Sequence, residues 1–122
     1  MRRLPNERER LERAKARLDR LDLYRRPVSL RGVRTLVAPE LFRLPGFRRY
    51  HGYAFWRTIL VKSAEASDDL LTHELCHVWQ AQRRPLAQLW AWFRYPYRQN
   101  PFEREARSAV EATRGYGAGR LG

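Results

Sequence analysis

Apolar positions recur along the chain in helical and strand rhythms that divide it into segments. Leu11, Ala14, Leu18 and Leu21 fall at steps of three, four and three, with Arg and Glu between them. That spacing predicts an amphipathic surface helix over 7–21. Asn6 with Glu9 three residues on has the form of a capping box at its start, and Pro27 closes the segment. Residues 33–38 (Val-Arg-Thr-Leu-Val-Ala) predict a strand ended by Pro39. A loop with a Pro45-Gly46 turn leads to 53–62 (YAFWRTILVK), the segment richest in aromatic and β-branched residues. It predicts a second strand, with Phe55, Arg57, Ile59 and Val61 on one face.

The second half reads as helical. Ser67 before Asp68-Asp69 is an N-cap with two acids in the first turn, which suits the positive end of the helix dipole. Leu71, Leu75 and Val78 carry the stripe of a helix over 68–82, stopped before Pro85. A short aromatic helix follows through Leu86, Leu89, Trp90 and Phe93, and ends near Pro96. Asn100-Pro101 opens a last helix over 101–114, lined by Phe102, Ala106, Ala109, Val110 and Thr113. Two strands alone are marginal and need helices packed on them. The expectation is an α+β domain over 1–114, with a sheet of two to three strands, and a flexible tail over 115–122.

Composition narrows the chemistry. A single cysteine, Cys76, excludes an intramolecular disulfide framework and a Cys-rich zinc finger. The strongest apolar run, 86–93, is too short to span a bilayer, and no signal-type stretch follows Met1. A cytoplasmic location is the expectation. The net charge is +12, with 25 Lys and Arg against 13 Asp and Glu. Such a balance attracts nucleic acid, anionic membranes or acidic protein surfaces. Arginine supplies nearly all of the positive charge, a skew that genome composition alone can produce, which discounts the nucleic-acid reading.

The segment His73-Glu74-Leu75-Cys76-His77 is an H-E-x-x-H pattern on the predicted 68–82 helix. Positions i and i+4 lie on one helix face about 6 Å apart along the axis, so two imidazoles there can converge on one ion. From three His and nine Glu in 122 residues the pattern arises by chance on the order of 0.005 times. A ligand pair is therefore a better reading than two surface histidines. Zinc suits two neutral nitrogens plus a carboxylate and keeps a fourth position for water. Glu74, one residue round the helix, can take the proton of that water and pass it to a leaving amine.

The third ligand must come from elsewhere. His51 is one choice; the acids of the last helix, Glu103 and Glu105, are the others. Glu103 has an alternative role as the capping partner of Asn100, and Glu105 as a surface ion pair. Spacing alone does not rank them.

The motif, Gln80, and the downstream Asn100-Pro101-Phe102-Glu103-Arg104-Glu105-Ala106 resemble the gluzincin class of zinc metallopeptidases. More narrowly, they resemble its small bacterial single-domain, minigluzincin-like members, over about residues 33–111. The resemblance implies a zincin-like fold: a small sheet packed on an N-terminal helix, a motif helix and a glutamate helix. It implies zinc held by His73, His77 and a downstream glutamate in an E-x-x-A setting. That setting is Glu103 with Ala106, leaving Glu105 in reserve. It also makes the strand before the motif helix a sheet edge to which an extended peptide substrate adds. One position departs from the class: Arg107 stands where an Asp or Asn often orients a histidine, so Asp68 or Glu111 would have to serve instead.

Other residues carry weaker expectations. Tyr95 and Tyr97 could donate to an oxyanion but are more simply packing residues. Cys76 reads as a small buried side chain, and Trp79, Trp90 and Trp92 as core and cleft wall. The expected function is a zinc-dependent metallopeptidase-like hydrolase, acting on a peptide or protein for which an acidic character would suit the charge. The alternatives are a zinc-stabilised basic module that binds nucleic acid, and a catalytically silent zincin-fold regulatory protein. No membrane partner is expected.

Overall fold

The computed structural model describes residues 1–21 and 23–114; the expected tail over 115–122 lies outside them. The fold is α+β, with four helices and a mixed sheet of four short strands. The strands are β1 (Arg2–Arg3), β2 (Arg34–Val37), β3 (Gly52–Phe55) and β4 (Thr58–Val61), and the helices are α1 (Glu7–Asp19), α2 (Asp68–Arg83), α3 (Pro85–Arg94) and α4 (Pro101–Thr113). The sheet order is β1-β2-β4-β3. β2 and β4 run parallel, and the outer strands pair antiparallel to their neighbours. β3 thus forms one edge of the sheet.

The sheet departs from the sequence expectation in two places. Four strands form where two to three were expected, because Arg2–Arg3 pairs with Leu36 and Val37 on the far edge of β2. The expected 53–62 strand is a hairpin: Phe55 pairs with Thr58, and Trp56-Arg57 makes a two-residue connection. The favoured two-residue turns put positive φ at their first central residue, and Trp56 adopts φ 57° there. Phe55 and Arg57 therefore do not share one strand face with Ile59 and Val61, both of which point into the core.

α1 buries the predicted stripe through Leu11, Ala14 and Leu18. Its start differs from expectation, since Asn6 takes a left-handed backbone and makes no side-chain cap. Glu7 contributes instead: its Oε2 accepts the Thr35 backbone N–H, and the carboxylate pairs with Arg3. Glu7 so ties the helix to the sheet.

α2 is the centre of the fold. Ser67 Oγ accepts the Leu70 N–H at 3.0 Å, the cap the sequence predicts. Leu71, Leu75, Cys76, Val78 and Trp79 are all fully buried, joining α1, β4 and α4 in one core cluster. On α4, Asn100 Oδ1 accepts the Phe102 N–H at 2.9 Å, and the small Ala106 and Ala109 face the core. α3 is different. Among its residues only Ala91 is buried, and Leu86, Leu89, Trp90 and Phe93 are exposed. Trp79 is core as expected, but Trp90 is 66% exposed.

Candidate metal centre

One turn of α2 and the first turn of α4 meet at a cluster of three side chains. His73 Nε2 lies 2.9 Å from Glu103 Oε1, and His77 Nε2 lies 2.8 Å from Glu103 Oε2. The ligand atoms of all three lie within 4.8 Å of one another. Tetrahedral zinc at about 2.0–2.1 Å sets its ligand atoms roughly 3.3 Å apart, only a few tenths beyond the separations to Glu103. Two ring nitrogens and one carboxylate on three converging side chains therefore fit a zinc-type cation. Both Glu103 oxygens point at the imidazoles, so Glu103 does not return to cap its own helix.

Of the two acids, the structure brings Glu103 and not Glu105 to the imidazoles. Glu105 accepts hydrogen bonds from the Tyr24 hydroxyl and from Gln80 Nε2, away from the imidazoles. His51 is exposed and lines a separate cavity with Lys62 and Ser63.

The group that orients His77 is Gln80. Its Oε1 lies 2.8 Å from His77 Nδ1, while its Nε2 donates to the Phe102 carbonyl at 2.8 Å and to Glu105 at 3.0 Å. Gln80 is fully buried and spans both ligand-bearing helices. This replaces the expected acid. Asp68 instead pairs with Arg13, and Glu111 is exposed. The signal was present in the spacing, because residue 80 is three on from His77 and falls on the same helix face. Outer hydrogen-bond partners of metal-binding histidines typically contribute 10–100-fold to affinity. Gln80→Ala is expected to weaken zinc binding by about that factor, read by competition with a fluorescent chelator. Unchanged affinity would remove Gln80 from the site.

Tyr97 donates its hydroxyl to Glu103 Oε1 at 2.8 Å. Burial first, and then this bond, push its pKa up, so it stays a donor that fixes the carboxylate. Arg107 reaches the same oxygen at 3.5 Å and lies over the Tyr97 ring. Tyr95 is exposed, with Arg94 against its ring.

The groups of the cluster shift one another's protonation. Burial acts to raise the Glu103 pKa, but hydrogen bonds and charge from His73 and His77 outweigh it and hold the carboxyl far below its usual range. Burial acts to lower the His77 pKa, but Glu103, Glu74 and Gln80 outweigh it and raise it. The Glu103 carboxyl therefore stays ionised between the two imidazoles, the form a metal ligand must take.

Glu74 stands beside this cluster without joining it. It is 6% exposed, and burial raises its pKa above the usual carboxylate value. Gly52 at the start of β3 lets the sheet edge approach: a Cβ there would lie 3.1 Å from Glu74 Oε2 and from Leu70 Cδ1. Glu74, His77, Glu103, Tyr53 and Tyr97 help line a cavity of about 20 Å³, room for one water-sized molecule. Next to it runs a groove of about 480 Å³ between the hairpin and α3, which shares Tyr53, Ala54, His77 and Trp92 with the small cavity. Trp92 is thus cleft wall, as expected. Cys76 is fully buried behind the ligands, and burial raises its thiol pKa, which leaves it an inert thiol.

Comparison of the chain with protein-family models, with curated proteins and with solved structures finds no match.

Proposed function

We propose that the protein is a zinc-dependent metallopeptidase-like hydrolase with a zincin-like fold. The observation that carries this reading is the convergence of His73, His77 and Glu103 from two helices, with Glu74 buried alongside. Zinc, when bound, supplies Lewis acidity toward a peptide carbonyl and toward water.

The protein's own groups do the rest. The β3 edge offers unpaired backbone N–H and C=O groups to an extended peptide, which lies along the groove as a further strand. Glu74 takes the proton of the attacking water and hands it to the leaving amine. Its raised pKa makes it a stronger base than an exposed carboxylate. Gln80 and Tyr97 hold His77 and Glu103 in place through both steps.

The test begins with metal content. After dialysis the purified protein should hold about one zinc per chain. His77→Ala and Glu103→Ala should hold none. Hydrolysis of an unfolded protein substrate should stop with a chelator and return with zinc. A wild-type protein without zinc affinity, or variants that keep it, would overturn the reading. Arg107 beside Glu103 favours a second reading, a metal-binding but catalytically silent relative. Stoichiometric zinc with no turnover on any protein substrate would select it.

A further inference from the structure

The apolar surface of α3 and the hairpin tip is not explained by the metal centre. Phe93 and Leu86 are each 81% exposed, Trp90 66%, Phe55 and Trp56 65%, and Leu89 56%. Leu86, Leu89 or Trp90, and Phe93 fall at the i, i+3/i+4, i+7 spacing of one helix face, and the described residues leave that face exposed. Phe55 and Trp56 stand across the groove from Leu86 and Leu89, so the two elements form one patch. Trp90 and Phe93 are outside the groove lining, so groove binding does not account for them. Trp56 holds the left-handed backbone of the hairpin turn, and its indole stands in solvent at the tip.

The charge around the patch identifies its partner. No Asp or Glu occurs between Glu40 and Glu65 or between Glu74 and Glu103, the two stretches that build both walls. Within them, Arg57 sits at the hairpin tip, Arg83 and Arg84 precede the aromatic face of α3, and Arg94 ends it; all four are exposed. An exposed face of Trp, Phe and Leu rimmed by arginine has the composition of a helix lying in a membrane interface. The tryptophans sit at headgroup depth and the guanidiniums meet anionic lipid. A second copy of the chain would bring the same positive rim against itself. Nucleic acid would draw on the arginines but leave the apolar side chains in water.

We propose that α3 and the β3–β4 hairpin tip dock the protein on an anionic lipid bilayer, lying in the surface without crossing it. Their insertion places the mouth of the groove at the membrane. The expectation of no membrane partner rested on the shortness of the 86–93 run, which bears on crossing a bilayer and not on lying in its surface. The inference does not depend on the metal.

Flotation with phosphatidylcholine vesicles, with and without phosphatidylglycerol, tests it. The protein should float with the anionic vesicles, its tryptophan emission should shift to the blue, and raised salt should weaken binding. Trp90→Ser with Phe93→Ser should reduce vesicle affinity by about a hundredfold, since each side chain is worth roughly tenfold when buried in lipid. Circular dichroism and zinc content should stay as in the wild type, because neither residue touches the core or the cluster. Three results would overturn the proposal. The first is no binding to anionic vesicles. The second is binding that survives the double substitution. The third is a dimer in sedimentation that the same substitution dissolves.

Discussion

Glu74→Gln should retain one zinc per chain and lose hydrolytic turnover by about 10²–10⁴-fold, the usual contribution of a general base. The two halves of this result come from separate features. The candidate ligand atoms belong to His73, His77 and Glu103, so on the proposed reading metal affinity does not need the Glu74 carboxylate. Glutamine keeps the shape of the side chain against Gly52 but cannot accept the proton of water. The loss should fall on kcat more than on KM, because the proton transfer belongs to the transition state. Zinc content and progress curves on an unfolded substrate check both halves. If the variant cleaves as fast as the wild type, the base lies elsewhere.

The second large effect concerns stability. Arg17→Ala is expected to destabilise the fold by about 2–4 kcal/mol, read from urea midpoints at unchanged slope. Arg17 is 5% exposed and links three helices. Its guanidinium donates to Thr113 Oγ1 and to the Val110 carbonyl, each at 3.0 Å, and pairs with Asp69 at 2.9 Å. Truncation strands these acceptors and opens a gap between α1 and α4. The open side of Asp69, which Arg114 also reaches, keeps the cost below that of a fully buried pair. Burial acts to raise the Asp69 pKa, but the two arginines outweigh it and hold it low. A depressed carboxylate contributes stability that is present above its unfolded value, about 3.9, and is lost as pH falls toward its folded value. The wild type should therefore lose more stability than Arg17→Ala on acidification below about pH 4.

The parts of the fold that the sequence disclosed are those where local rules and tertiary demands agree. The α2 stripe, the Ser67 cap and the Asn100-Pro101 start of α4 satisfy propensity, capping and burial together. Of the candidate metal cluster, helix periodicity disclosed the two histidines, whereas spacing left Glu103 and Glu105 unranked and only the resemblance to an E-x-x-A setting pointed to Glu103. The misreadings occur where one level overrides another. Trp56-Arg57 has none of the Gly or Asn that marks a tight turn, so strand-like residues concealed the hairpin. Arg2–Arg3 carries no apolar pattern and pairs only because β2 has a free edge. Asn6 lost its capping role because Glu7 was drawn to Thr35 and Arg3. The apolar period of α3 predicted a helix correctly, but periodicity does not say what covers the face. Gln80 stood out in the sequence only as part of the resemblance, and its contact with His77 became visible once α4 supplied its other partners.

Glu103 lies 26 residues beyond His77 and belongs to the last helix of the fold. During synthesis the two imidazoles leave the ribosome first, on a helix whose packing partner is still unmade. On the proposed reading, a nascent chain at that stage carries two of the three candidate ligands and lacks the Glu103 carboxylate. On that reading, metal loading waits until α4 has emerged and docked against α2.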